Sequence, residues 1–490
     1  MNRPSWKCLL PVLLALLHGL WFWGAGPLDD DFICYRYARN LLAGHGLVYN
    51  VGERFEGYTT PLWVFVHAAG QALGLASPWL AKALGLTAFV ATTAWLARLA
   101  QREARTPWEA LVLAAAPAMA FQSAAGLGTT CMALCLFGAW ANWEHHPLRG
   151  GLWLALLCLL RQEFALFVLP LAWVQFRRNQ LGPVWPALTA LVGWTAFRLA
   201  YYGSWLPNTY GVKKLPVAVD LAYGAGYLLE ATANFAWPLL VVLAAVAAWR
   251  SRNAVPRAFA AGLVLHSAYV VWVGGDFIVL SRFFVPTLPL ALGLGALRVL
   301  PGPRALLPAV WMLGMQWNQV PQPFGDLRYR EEARPVRLEV QRVFRHRWGR
   351  LGDWFAANVP PGSQVALSPI GAFGWHSDLP IVDILGLVNG STQDCAPDLE
   401  THVKGHHRSD FHWVLAQEPA YVILGNGTRD ENGRFTICPW EKEFYRSLQS
   451  GGVFPRRYRL ASTDVGDGIP LDLFVRRDLP LPPASTWQAP

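Results

Sequence analysis

Asp29-Asp30-Asp31 put three carboxylates at adjacent positions, directly behind an apolar stretch from Cys8 to Gly26 that carries no formal charge. Like charges this close are costly to hold together unless they bind a cation, polarise a hydroxyl or stay wet. Arg36 and Arg39 follow, on what reads as a short interfacial helix over residues 32–43, N-capped by an aspartate. Carboxylates beside guanidinium groups suit a reaction that needs a base and releases an anion. The plainer reading, a helix cap with a solvated face, needs fewer acids than three.

Other polar strings stand between apolar stretches. A turn-rich loop with many glycines carries Glu56 and Tyr58, and scaffolding or substrate contact explains it equally well. Arg161-Gln162-Glu163 separates two apolar segments of only about 16 and 21 Å at helical rise. Charges at that depth must face protein or a water-filled cavity. The alternative is a single kinked helix over 151–176 with a buried Arg–Glu pair. Tyr201-Tyr202-Gly203-Ser204-Trp205-Leu206-Pro207-Asn208-Thr209, with Lys213 and Lys214, reads either as a phosphate and sugar contact or as an interfacial anchor. Gly274-Gly275-Asp276 and Ser281-Arg282 suggest a buried ion pair or a binding group. His266 reads as an interior side chain. His402, His406 and His407 match no zinc spacing well. Seven cysteines show no metal-ligand spacing either, and Cys395 with Cys438 form a candidate disulfide in an oxidising compartment.

These strings are positioned by a very apolar chain. Of its 490 residues 53% are hydrophobic and 15% charged, with 25 tryptophans, many flanking apolar runs. That is a polytopic membrane protein, not a soluble enzyme. The net charge of +9 falls mainly in short loops and the C-terminal part, which argues against nucleic acid. Arginine-rich loops alternate with the polar strings. The alternation predicts about eleven spans, with 60–76 as a re-entrant or interfacial helix and the N-terminus in the cytoplasm. Beyond Pro323 the composition changes to a charged amphipathic helix over 330–358 and short β-type runs at 365–368, 381–385, 421–424 and 471–475. The expected division is a transmembrane domain over 1–322 and a soluble α/β domain over 323–490 on the outer, periplasmic face.

In this order, the strings resemble the GT-C-type terminal β-(1→2)-arabinofuranosyltransferases of mycobacteria and their proteobacterial relatives. The resemblance rests on Asp29-Asp30 with Arg36-Tyr37-Ala38-Arg39-Asn40, Gly52-Glu53-Arg54 with Glu56-Gly57-Tyr58, Tyr201-Tyr202-Gly203 with Leu206-Pro207-Asn208-Thr209, and Gly274-Gly275-Asp276 with Arg282. Arg161-Gln162-Glu163, Asp383-Ile384-Leu385-Gly386-Leu387 and Gly405-His406 are similar to further family strings.

The resemblance implies a GT-C-like fold and transfer of a sugar from a polyprenyl-phosphate donor, as co-substrate, to a glycan or lipoglycan acceptor at the outer face of the bacterial inner membrane. It carries the catalytic acids onto Asp29 and Asp30, with Asp29 acting on the acceptor hydroxyl. Asp31 joins them as a candidate divalent-cation ligand. Arg36, Lys213 and Arg282 are candidates for the donor phosphate. Tyr37, Arg39, Glu56, Tyr58, Arg161, Glu163, Tyr202, Asn208, Asp276 and His406 complete the expected donor and acceptor contacts. Two departures bear on donor and acceptor: Gly128 stands where relatives carry Glu, and Asn389 where they often carry Asp. The competing readings are a lipid-linked-sugar flippase or transporter and a non-catalytic envelope-assembly protein.

Overall fold

The computed structural model describes residues 6–278, 280–300, 338–401, 403–429, 438–466 and 469–482, with isolated positions between 304 and 314. The chain groups into two compact units. The first comprises Met1–Leu28, Thr60–Ala200 and Pro216–Arg342; the second comprises Asp29–Thr59, Tyr201–Leu215 and Val343–Pro490. This grouping differs from a chain-order boundary at 322, because two early loops gather with the C-terminal part.

The first unit is helical. Its elements are α1 (Trp6–Trp21), α3 (Pro61–Ala72), α4 (Ser77–Arg102), α5 (Trp108–Ala115), α6 (Pro117–Ala125), α7 (Thr129–Trp143), α8 (Pro147–Leu160), α9 (Ala165–Arg177), α10 (Trp185–Tyr202), α12 (Val217–Phe235), α13 (Trp237–Arg250), α14 (Ala254–Trp272) and α15 (Leu288–Gly293). Among the described residues, α4 and α14 are long and apolar enough to cross a membrane. As many as four spans result if the bent pairs α6–α7 (115°) and α12–α13 (75°) each count as one. The expected eleven counted shorter apolar stretches too, and the stretch 305–320 lies largely outside the described residues. The first helix is shorter than its apolar run. It ends at Trp21, so its 16 residues reach about 24 Å. In α12, Asp220, Tyr223 and Glu230 interrupt the apolar pattern without breaking the helix.

Close helix approach depends on a few glycines. A Cβ added to Gly151 in α8 would lie 1.8 Å from the carbonyl oxygen of Pro183, just beyond α9. α8 and α9 therefore fold back on each other as a hairpin, and Arg161, extended at φ −157°, sits at the tip. The single kinked helix does not form. Gly224 in α12 likewise lets the Val271 carbonyl of α14 approach to 1.9 Å from where a Cβ would stand.

The second unit is built on a five-stranded sheet in the order β2-β1-β3-β5-β4. The strands are β1 (Val365–Leu367), β2 (Ile381–Asp383), β3 (Tyr421–Val422), β4 (Tyr458–Asp464) and β5 (Pro470–Arg476). β1 pairs in parallel with β2 and β3, while β5 runs antiparallel to β3 and β4. Four strands fall on the expected runs. β4 was not expected, because Arg459, Ser462 and Thr463 break its apolar alternation on an edge strand. Helices α2 (Asp29–Leu42), α11 (Asn208–Lys213), α16 (Leu338–Asn358), α17 (Gly371–Ser377), α18 (Phe411–Ala416), α19 (Lys442–Gln449) and α20 (Val453–Arg457) complete the unit. Ala366, Val422, Leu424, Phe444, Phe454 and Phe474 form part of its core. On α16, Trp348 and Phe355 are buried, and Phe355 packs edge-on against Phe373 of α17 and Tyr421 of β3 at 5.1 and 5.6 Å. Arg347 fastens α16 to the sheet by donating to the carbonyls of Asn426, Gly427 and Pro470.

The glycines of α12 give a matched test. Gly224→Ala should destabilise the protein by about 1–3 kcal/mol through overpacking. Gly226→Ala, on the same helix with nothing within 4 Å of the new Cβ, should be neutral or slightly stabilising. Thermal midpoints in detergent decide it, and equal midpoints for the two variants would refute the close helix approach.

Candidate functional site

The aspartate-rich string is helical from its first residue, and α2 lies along α17. Both carboxylate oxygens of Asp29 accept from the first amides of α17, Gly371 N–H at 3.0 Å and Ala372 N–H at 2.7 Å. At the other end of α17, Arg36 Nη1 donates to the Gly374 carbonyl (2.8 Å) and Arg39 Nη1 to the Trp375 carbonyl (3.0 Å). Arg39 also pairs with Asp378 at 2.6 Å and lies 4.5 Å from the Trp375 ring centroid. The Asp29 carboxyl oxygens thus meet the amide end of a short helix and two guanidinium groups its carbonyl end. Each such contact contributes about 0.3–1 kcal/mol at a surface, and up to about 2 kcal/mol when partly buried. Gly371 and Gly374 permit the approach: a Cβ on either would fall 1.9 Å from the Asp29 carbonyl oxygen or the Tyr49 hydroxyl.

Arg36 is 3% exposed, and its remaining donors go to the carbonyls of Tyr49 and Leu379 and the side chain of Asn50. Its guanidinium is committed to joining α2, the following loop and α17. The expectation that Arg36 meets a donor phosphate is corrected on this ground. Asp31 is fully buried and accepts from the Tyr35 hydroxyl at 2.5 Å. Asp30 differs from both. It is half-buried and makes no hydrogen bond or ion pair among the described residues. The acid with an available carboxylate is therefore Asp30, whereas Asp29 holds α17. Among the described residues no group of three or more His, Cys, Asp or Glu side chains is placed to hold a metal ion.

A second set of expected residues also comes together in this unit. Tyr37 packs edge-on against Tyr58 at 4.7 Å, and its hydroxyl donates to the Phe55 carbonyl. The Tyr58 and Tyr202 hydroxyls are 3.0 Å apart. Glu56 is buried, and its carbonyl accepts from Asn208 N–H. Asn208 Nδ2 donates to the carbonyls of Gly386 and Leu387 at 2.9 and 2.6 Å, and Gln393 donates to its Oδ1. Lys213 lays its aliphatic stem over Gly405, where a Cβ would be 3.3 Å away, and its carbonyl accepts from Lys404 Nζ. His406 lies 4.7 Å from the Trp440 ring. His402 lies outside the described residues. Cys395 and Cys438 are free thiols, which corrects the candidate disulfide: Cys395 Sγ faces Asp410 at 3.7 Å, and Cys438 contacts Glu441.

Asp383, quoted only as part of a string, orders the loop that Asn208 grips. Its carboxylate accepts from the amides of Leu385, Leu387 and Val388. Asn389, the second departure, donates to the Asp383 carbonyl. Asn50 bonds both backbone groups of Ile381 on the edge strand β2, at 2.8 and 3.0 Å. The Asn50 role is non-local, with partners 331 positions apart, so no sequence pattern marks it; the Asp383 bonds are local, within five residues.

The remaining expected residues form a separate cluster in the first unit. Arg161 pairs with Glu163 and Arg282 with Asp276, at 2.6 and 2.5 Å. Both guanidinium groups lie over Phe283, 4.9 and 5.3 Å from its ring centroid. Tyr227 Oη accepts from Phe283 N–H at 3.0 Å, and Arg198 donates to Gln162 at 2.8 Å. His266 is 1% exposed and stacks on Phe164 at 5.0 Å. Arg198 and Tyr227 were missed because each stands alone in an apolar or mixed helix. Gly128 has φ +69°, and a Cβ there would lie 3.2 Å from the buried Trp63 indole, so an acidic side chain would strain the backbone and press on Trp63.

Burial pushes the Asp29 carboxyl up to about 7 and the neighbouring Asp30 charge adds to this, while the two amide bonds pull it down. Burial likewise raises Asp383 to about 6 and Glu441 to about 8. A carboxyl raised above its ordinary value stabilises the fold fully below that ordinary value, about 4. That contribution is lost as pH rises through the folded value. The thermal midpoint should therefore fall as pH rises from about 5 to about 8. Asp29→Asn should flatten the slope near pH 7 and Glu441→Gln the slope near pH 8. A midpoint that rises over this range in the parent protein would contradict the burial assigned to these carboxyls.

A family model described as a domain of unknown function (DUF8728) matches residues 334–474. The terminal beta-(1->2)-arabinofuranosyltransferase of Corynebacterium glutamicum is 26% identical over 342 residues, covering 56% of this chain and 49% of that protein. The Mycobacterium tuberculosis protein of the same name is 30% identical over 243 residues, covering 43% of this chain and 38% of that protein. The chain thus spans about half or less of the length of these curated relatives. The crystal structure of ArnT from Cupriavidus metallidurans bound to undecaprenyl phosphate aligns with a TM-score of 0.54 and 14% identity, over 96% of this chain and 98% of that one. The fold is therefore similar to that of ArnT, and the chain is similar in sequence to terminal β-(1→2)-arabinofuranosyltransferases, as its strings implied.

Proposed function

We propose that the chain is a membrane glycosyltransferase that takes a sugar, arabinofuranose or a similar pentose or hexose, from a polyprenyl-phosphate donor. The acceptor is a glycan or lipoglycan of the cell envelope, met on the periplasmic face of the inner membrane. The likeness to two arabinofuranosyltransferases supports the sugar, and that to ArnT bound to undecaprenyl phosphate supports the lipid donor. The observation that carries the chemistry is Asp30: an accessible carboxylate next to a residue fixed at both oxygens.

In this reading Asp30 accepts the proton of the acceptor hydroxyl as its oxygen attacks the anomeric carbon. The bond from that carbon to the phosphate oxygen breaks, and polyprenyl phosphate leaves with the electron pair. Asp29 is a positioning residue, holding α2 against α17 so that Asp30 keeps its direction. Lys213 and Arg282 are assigned to the donor phosphate by charge. Tyr37, Glu56, Tyr58, Tyr202 and Asn208 are assigned to sugar contacts by their clustering.

Asp30→Asn should lower sugar transfer from a polyprenyl-phosphate donor by about 10²–10⁴-fold, the worth of a general base. Amide exchange of Gly371 and Ala372 should stay unchanged in that variant. Asp29→Ala should lower transfer and also expose those two amides. Transfer by Asp30→Asn at the parental rate would remove the proposed role. The orientation, with a cytoplasmic N-terminus and a periplasmic C-terminal domain, predicts that Cys introduced at Arg102 is labelled only from the cytoplasmic side. Cys at the exposed Glu443 of the C-terminal domain should be labelled from outside; external labelling at both positions would refute the orientation.

A further inference from the structure

The segment that joins α10 to α11 exposes large apolar side chains. Trp205 is 70% exposed, Leu206 50% and Tyr210 36%. The tip is held in shape rather than loose. Ser204 Oγ donates to the Leu206 carbonyl and accepts from its amide, and Asn208 fastens the base to Gly386 and Leu387. Two exposed cations flank it on aromatic neighbours. Arg54 lies 5.0 Å from the Tyr201 ring centroid, and Lys214 Nζ lies 6.0 Å from that of Tyr210. Neither cation pairs with a carboxylate among the described residues.

The geometry points to this tip as a docking surface for the phospholipid bilayer, with Trp205 and Leu206 entering the interfacial layer and Arg54 and Lys214 meeting anionic headgroup phosphates. An indole and a leucine at a fixed turn supply the apolar contact, and tryptophan and tyrosine favour the headgroup level because they are amphipathic. The cations supply charge complementarity to acidic lipids. Chain continuity supports the same occupant: the segment follows directly on α10, whose Trp185 and Val192 are 59% and 68% exposed, and precedes α12, whose Leu229 is 71% exposed. In the membrane reading those apolar side chains face lipid, and the tip is the segment of chain that directly follows α10. The inference rests on the membrane reading of the chain and not on its transfer chemistry.

The test uses the full chain in nanodiscs of phosphatidylcholine alone or with phosphatidylglycerol. A nitroxide is attached at Trp205→Cys, with Leu206→Cys as a second site and Glu443→Cys as an exposed control; unsubstituted protein treated in parallel gives the background. Collision rates with dissolved oxygen and with a water-soluble nickel chelate report depth. At both tip positions oxygen collisions should dominate relative to the control, and the nickel collisions should fall further when acidic lipid is present. Arg54→Gln with Lys214→Gln should remove that lipid dependence, by about fivefold in the partitioning of the tip for each charge lost. Tip positions as open to nickel as Glu443→Cys would overturn the proposal. So would an identical result with and without acidic lipid in the parent protein. Sugar transfer is measured separately, so a failed docking surface and a failed transferase reading remain distinguishable.

Discussion

A buried carboxylate at the amide end of one short helix, with two guanidinium groups at its carbonyl end, organises the second unit. Asp29, Arg36 and Arg39 sit on one helix and satisfy both ends of another that is more than 300 residues away in sequence. Orphan amides and carbonyls at helix ends are costly when buried. Carboxyl oxygens at one end and guanidinium groups at the other relieve that cost and fix the helix in both position and direction. The loop after α2 is then drawn in: Tyr49 donates to the Ile370 carbonyl, and Asn50 pairs with the backbone of β2. The charges that looked most chemical in the sequence therefore hold the architecture, and their neighbour Asp30 is left accessible.

The same logic of paired charge appears in the first unit, at two breaks in helical regularity. Arg161 and Glu163 occupy the tip of the α8–α9 hairpin, and Asp276 and Arg282 occupy the irregular segment after α14. Each arginine has its acid close by and shares Phe283 with the other. Charges within an apolar helical unit persist only when so paired, since an isolated ion there costs several kcal/mol or more. The tripeptide and the Gly-Gly-Asp string each suggested an ion pair; that the two pairs share one aromatic ring was not suggested by either.

Much of the fold was legible. The apolar stretches mark the positions of α4, α10 and α14, and short β-branched runs mark four of the five strands, because periodicity reflects burial directly. The failures have local causes. β4 alternates poorly because an edge strand tolerates polar side chains on both faces. The first half of α12 is hard to read from periodicity because its acids and tyrosine interrupt an otherwise apolar pattern. α1 ends at Trp21 although the apolar run continues, since hydrophobicity signals burial but does not specify where a helix stops.

By itself the sequence determined an apolar, helix-rich chain with a distinct α/β part, and it placed the chemical interest on a few polar strings. These are properties of composition and local order. Which acid is available, which arginines are already occupied and which glycines must lack a side chain were decided only in three dimensions. The reason is physical: a charged group's role depends on whether its hydrogen bonds are already made, and its partners here lie hundreds of residues away. Asp29 and Asp30 are neighbours of the same type, and only the position of α17 makes one a brace and leaves the other half-buried with no side-chain hydrogen bond among the described residues.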